Sequence, residues 1–185
     1  MRSIGSLAFF AASALAFAAH AQQFQLTSPD IRPNGTIAAE QVYDGSGCSG
    51  RNVSPALSWS GAPRGTQSFA LLVQDPDAPG AGWRHWLMLD IPGNATGLEK
   101  DAGKTDGSKL PTGARQLAND FGSPGWGGPC PPPGDKPHRY IYTVYALGVA
   151  KLELPANPTP SAVQTTLNAH TLGKATLIGR YGRNK

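Results

Sequence analysis

The chain has 185 residues, of which 23 are glycine and 17 proline, about one in five and roughly double the ordinary share of those types. A hydrophobic content of 39%, with 4 Trp, 5 Tyr and 6 Phe, excludes a disordered chain. There is no collagen period and no long stretch suited to a helical bundle. The formal charge of +4 suits solubility and a mild preference for anionic partners. With no basic helix, zinc-finger spacing or basic-aromatic repeat, it argues against nucleic acid.

The N-terminus reads as a secretory leader. Arg2 supplies a positive start, Ile4 to Ala19 is nearly all apolar or small, and Ala19-His20-Ala21 fits a small-x-small cleavage pattern. That run is short for a membrane span, and no later one reaches the required length. The expectation is a signal peptide over 1–21 and a single domain over 22–185, periplasmic or secreted. Cys48 and Cys130 are the 2 cysteines of the chain. In an oxidising compartment they favour one disulfide closing a long loop, with two reduced thiols as the alternative.

In chain order, Phe24-Gln25-Leu26 predicts a first strand. Residues 54–59 predict another, with Leu57 and Trp59 on one face. Residues 68–74 form a compact apolar strand stopped by Asp75-Pro76. Over 85–91, alternation puts His85, Leu87, Leu89 and Ile91 on one face and Trp86, Met88 and Asp90 on the other. The polar stretch 96–119 has little to pin it. Residues 138–147 are aromatic and β-branched, apolar on both faces, and predict a central strand covered on both sides. The spacing predicts a helix over 160–172, capped by Thr159, with Pro160 at its start and Gly173 as its stop. A last strand follows over 175–181. The fold class is mainly β, with a large antiparallel sheet and little helix.

If strand 68–74 turns back into 85–91 and lies antiparallel to 138–147, then Asp75, Asp77, His85 and His138 meet at one sheet edge. Gly127 to Gly134 would wall this pocket, and Trp83, Trp86 and Trp126 could rim it. Alternation sends Arg139 away from His138, towards Asp120 or Asp90. Two histidines and two aspartates admit a metal site, a hydrolase with a serine nucleophile, or an anion site with imidazole and backbone donors. They also admit plain turn-making and local satisfaction of backbone groups. No HExxH, close His pair or G-x-S-x-G motif supports the first two.

At these residues the chain resembles the phosphatidylethanolamine-binding protein family, also called the Raf kinase inhibitor family, in its YbhB/YbcL-like branch. The matching segments are 52–59 (NVSPALSW), 75–79 (DPDAP), His85-Trp86, 119–122 (NDFG), 128–132 (GPCPP) and His138-Arg139-Tyr140. The resemblance implies a large central antiparallel sheet packed against a smaller one, with short peripheral helices. It implies no cofactor and no metal, and a binding protein rather than an enzyme. By position, the pocket for phosphate-like or carboxylate groups would comprise Asp75, Asp77, His85, Gly128, Pro129, His138 and, less directly, Trp83. Asp75 would orient an imidazole, and amides near Gly128 would add donors. The implied partner is a small anionic or zwitterionic ligand. The resemblance also admits a protein partner, such as a kinase or protease, and a homodimer. Only four residues follow Tyr181, so the longer helical end of animal relatives is missing.

Overall fold

A computed structural model describes residues 23–185; the leader read over 1–21 lies outside them. The strands are β1 (Gln25–Thr27), β2 (Asp44–Gly45), β3 (Cys48–Ser49), β4 (Leu57–Ser60), β5 (Ser68–Asp75), β6 (Trp83–Pro92), β7 (Gly97–Leu98), β8 (Arg115–Gln116), β9 (His138–Leu147) and β10 (Thr171–Tyr181), with helix α1 (Pro160–His170) before β10. Five of them form an antiparallel sheet in the order β10-β9-β5-β6-β8, and β1-β4-β7 form a smaller one. The third unit is the two-stranded β2-β3 hairpin.

The apolar character of β9 on both faces has its cause here. On one face Tyr140, Tyr142, Val144 and Ala146 join Leu71, Val73, Trp86 and Met88 against Leu57, Trp59 and Leu98 of the smaller sheet. On the other, Tyr145 and Leu147 join Ala70, Leu72, Leu87 and Leu89 against Val163 and Leu167 of α1. Each fully buried side chain of this kind contributes roughly 1.5–3 kcal/mol. The architecture is therefore mainly β, a large sheet with a smaller sheet on one face and a helix on the other.

Local departures from the sequence reading have specific causes. Helix α1 ends at His170, because Thr171 turns to extended backbone (φ −74, ψ 122). Leu172 and Gly173 thus belong to β10, and Gly173 is a strand residue rather than a helix stop. Its N-terminus is as expected, with Thr159 Oγ1 accepting from the Ala162 amide at 3.2 Å. The alternation along β6 is broken twice. Phe69 pairs with Ile91 while Leu71 pairs with Met88, so an extra residue sits near Asp90, which adopts φ 57. That bulge turns Ile91 onto the Trp86 and Met88 face. The second bulge, at His85, shapes the site described below. Segment 96–119, read as loosely held, is pinned by β7, by β8 and by Arg115, which donates to Asp90 Oδ2 at 2.6 Å and to Leu152 O at 2.8 Å.

Cys48 and Cys130 form a disulfide across 82 positions of sequence. It ties the β2-β3 hairpin to the proline-rich segment 129–133. An isolated hairpin of this size is marginal by itself, so the covalent tie matters. Replacing both cysteines by serine should lower the unfolding free energy by about 4.5 kcal/mol, the chain-entropy value for a loop of this length. Urea denaturation of the oxidised protein against the double variant measures it.

Candidate functional site

At the edge where β5 ends, β6 begins and β9 begins, a cavity of about 230 Å³ opens. Asp75, His85, His138 and Tyr140 line its floor, Ala78 and Pro79 one side, and Cys130, Pro131 and Pro132 the opposite wall. Trp83 and Phe121 stand at the aromatic side, and Ser46 reaches in from the β2-β3 turn. Strand alternation explains Asp75 and His138. Asp75 continues the Phe69, Leu71, Val73 row, and His138 begins the Tyr140, Tyr142, Val144 row, both on the face towards the smaller sheet. His85 arrives differently. Val73 pairs with Trp86 but Gln74 pairs with Arg84, so His85 is passed over in the register. The bulge turns its ring towards Tyr140, with centroids 5.0 Å apart, and towards Trp126 at 6.4 Å. Simple alternation would have pointed it at Leu87 and the helix side.

Asp75 is 2% exposed, and a carboxylate so buried needs donors. It has three: His138 Nδ1 at 2.7 Å to Oδ2, and the amides of Asp77 at 2.8 Å and Ala78 at 3.2 Å to Oδ1. The same group therefore orients the imidazole and closes the turn that leaves β5. That turn also requires Gly82, whose φ is +83 and where a Cβ would come within 2.8 Å of the Asp75 carbonyl. His85, 3% exposed, donates from Nδ1 to the Gly127 carbonyl at 2.5 Å. Burial pushes its pKa below the ordinary imidazole range, against the opposing pull of the Gly127 and Gly128 carbonyls and of Asp75 and Asp120.

Asp77 does not turn into the cavity. It takes Arg139 in a two-pronged pair, Nε at 2.9 Å to Oδ2 and Nη2 at 2.6 Å to Oδ1, and also accepts from the Arg139 amide at 2.8 Å. This corrects the expected pairing of Arg139, because both alternative acids are occupied. Asp90 holds Arg115, and Asp120 holds Arg84 through Nε and Nη2 and accepts the Arg84 amide at 2.6 Å. Burial works against ionisation of Asp120, but the Arg84 bonds outweigh it and keep the carboxyl below its usual range.

Gly128 and Pro129 lie behind the lining rather than in it. The Gly128 amide donates to Asn52 Oδ1 at 2.8 Å, so it is not free for a ligand. A Cβ there would come within 2.1 Å of the Gln41 carbonyl, so close packing of the wall against the turn at 39–41 is the reason for glycine. The Pro129 carbonyl accepts from the Tyr43 amide at 3.2 Å. Gly128 does touch the site indirectly, through its carbonyl near His85. Of the expected aromatic rim, Trp83 stands at the cavity, 38% exposed, in an edge contact with Phe121 at 5.4 Å. Trp86 and Trp126 are core residues packed behind His85.

Sequence reasoning did not assign Phe121, Tyr140 or Ser46 to the site. Tyr140 was recoverable from its two-residue offset from His138 on one strand. Phe121 lies in a loop, and its place depends on a stack with Tyr43 at 4.1 Å that no local pattern announces. Among the described residues, no three His, Cys, Asp or Glu side chains converge as a metal-ligand set. No helix among them is long and apolar enough to cross a membrane.

An antiparallel sheet whose edge carries an Asp–His pair, a second histidine and a proline wall defines a recognisable class of small β binding proteins. The family model described as phosphatidylethanolamine-binding protein matches residues 27–182. The protein YbcL of Escherichia coli K12 is 48% identical over 168 residues, covering 90% of this chain and 92% of YbcL. Its crystal structure, described as that of a new member of the mammalian PEBP family, superposes with a TM-score of 0.84 at 47% identity, covering 87% of this chain and 99% of that one. YbhB of the same organism is 34% identical over 158 residues, covering 85% of this chain and 99% of YbhB. A protein named putative lipoprotein LppC, from Mycobacterium tuberculosis H37Rv, is 36% identical over 152 residues, covering 79% of this chain and 71% of its own. The chain belongs to the phosphatidylethanolamine-binding protein family, in its YbhB/YbcL-like branch.

Arg139 holds the Asp77 carboxyl down to a pKa of about 2. A carboxylate depressed on folding adds stability that is complete above its unfolded pKa and fades as pH falls through the folded one. Asp77→Asn should therefore destabilise the protein at neutral pH, and the difference should shrink as pH falls from about 4 towards about 2. Both side chains meet solvent, so the effect should stay below about 1 kcal/mol. Thermal melts of both proteins across that acid range test it.

Proposed function

We propose that this chain is an exported binding protein whose cavity takes a small anionic group of phosphate or carboxylate type. The observation that carries the reading is the pair of buried imidazoles. His85 and His138 line one cavity, each with Nδ1 taken by a protein acceptor; Nε2 is the edge proposed for a ligand, on His138 in competition with Asp135 Oδ2 at 3.5 Å. Asp75 acts behind His138 as the orienting carboxylate, the role such groups play behind metal-bound histidines. Asp77, neutralised by Arg139, adds little repulsion to an incoming anion. The apolar cavity walls and few polar groups suit ligand capture.

Binding rather than turnover is the proposed role. The Asp75–His138 pair resembles the orienting half of a hydrolase triad. Among the described residues, however, no serine hydroxyl is hydrogen-bonded to His138. Export is supported by the apolar N-terminal run ending in Ala19-His20-Ala21, by the Cys48–Cys130 disulfide and by the lipoprotein name of the relative LppC.

An anion facing Nε2 needs a hydrogen between the two, carried by the ring or by the anion itself, so binding from neutral solution takes up a proton and strengthens as pH falls. Titration calorimetry with inorganic phosphate should show affinity rising between about pH 8 and pH 6, by up to tenfold per unit for one proton. His85→Ala and His138→Ala should each lose tenfold or more at the lower pH, where that hydrogen is in place and each ring supplies one side of the hydrogen bond. Unchanged affinity in both variants, with folding verified by circular dichroism, would remove the anion assignment.

A further inference from the structure

No lysine or arginine lines the cavity, and Asp75 is its one carboxylate. An anion entering it meets no permanent positive charge, so its partners must be hydrogen atoms on neutral or titrating groups. The hydrogen bonds around the two imidazoles decide where those hydrogens are. The Gly127 carbonyl can only accept, so His85 carries its hydrogen on Nδ1. Asp75 Oδ1 is occupied by two backbone amides, and Oδ2 accepts from His138 Nδ1. On both rings the remaining nitrogen is Nε2, which in a neutral imidazole bears a lone pair and accepts.

The groups facing each ring are few. Against His138 stand Asp75 and, 3.5 Å from Nε2, the half-exposed carboxylate of Asp135. Against His85 stand the Gly127 and Gly128 carbonyls, with Asp75 and Asp120 acting at longer range. The rings of Phe121, Trp126 and Tyr140 complete its surroundings. No lysine or arginine stands among the groups around His85, whereas His138 also borders a second cavity with Asp77, Lys136, Arg139 and Arg180. The Gly127 carbonyl fixes the hydrogen on Nδ1, and burial among these rings favours the neutral form, whose Nε2 accepts.

We infer that the cavity selects an anion that brings its own hydrogen, a phosphomonoester or inorganic phosphate as the monoanion, over a phosphodiester. The inference rests on the anion reading proposed above and narrows its ligand class. The P–OH of a monoester monoanion donates to His85 Nε2 without any change in the protein. A phosphodiester offers that nitrogen only acceptor oxygens, so it binds only after His85 takes a proton from water. A lipid headgroup joined through a diester carries no such hydrogen on its phosphate.

The test is titration calorimetry at about pH 5.5, below the second phosphate pKa of about 6, so that a monoester is mostly monoanionic. Methyl phosphate, dimethyl phosphate and glycerophosphoethanolamine are the probes, each run in two buffers of different ionisation enthalpy to count protons. Methyl phosphate should bind at least tenfold more tightly than either diester, the cost of an unmatched buried acceptor, with little net proton uptake. Both diesters should bind with uptake approaching one proton. Equal affinity of methyl phosphate and dimethyl phosphate without proton uptake overturns the inference while leaving the anion site standing. Preference for glycerophosphoethanolamine over methyl phosphate overturns it in favour of a lipid headgroup. Failure of all three to bind overturns the anion reading and the inference with it.

Discussion

A carboxylate buried at the end of a central strand must find donors, and much of this site follows from where Asp75 finds them. Its 2% exposure leaves it dependent on the protein, and an unpaired charge at such depth would cost several kcal/mol. One oxygen closes the turn after β5 through two amides, and the other fixes the ring of His138 on the neighbouring strand. Strand end, loop path and imidazole orientation are thus consequences of a single solvation requirement. The turn in turn places Ala78 and Pro79 as a side of the cavity.

The rest of the site is held from behind. Trp126 packs against Trp86 and Tyr142, and its indole donates to the Gln41 carbonyl at 3.1 Å. Asn52 receives the Gly128 amide and donates to the Trp126 carbonyl at 3.2 Å, bracing the wall segment. Arg183 donates to the Pro131 carbonyl at 2.7 Å and the Gly47 carbonyl at 2.6 Å, so the C-terminal residues clamp both the wall and the hairpin. With the disulfide, these contacts brace the cavity walls, and such bracing would limit the ordering cost of the binding proposed above. The high proline and glycine content serves that stiffness: proline removes freedom from the wall, and glycine permits the close approaches behind it.

Much of the site was legible because it depends on chemistry local to a few residues. Asp75-Pro76 had to end a strand, His85 had to begin the return (the strand in fact starts at Trp83), and the β-branched, aromatic run from His138 had to be central. Antiparallel order then brought Asp75, His85 and His138 to one edge. The reach of that reasoning stopped where side-chain direction depends on a partner strand. Ile91 and His85 both point away from the faces that alternation assigns, because β5 and β6 pair with an extra residue at two places. Arg139 could not be given its partner, since the choice among Asp77, Asp90 and Asp120 depends on which other arginine reaches each acid first.

The sequence by itself determined the β class, the central strand, the facing of Asp75 and His138, and the pair of cysteines available to close one loop. Each follows from period-two patterning, turn chemistry or composition, which act within a few residues. Only the tertiary structure decided that Gly128 and Pro129 stand behind the cavity, that Phe121, Tyr140 and Ser46 stand in it, and that Asp77 belongs to Arg139. It alone also decided that each histidine spends Nδ1 on a protein acceptor. The physical reason is common to all of these: a donor, an acceptor or a bare glycine acquires its role from the backbone brought opposite it. Those partners, such as the Gly127 carbonyl for His85 and Asn52 for Gly128, lie 42 and 76 residues away in sequence.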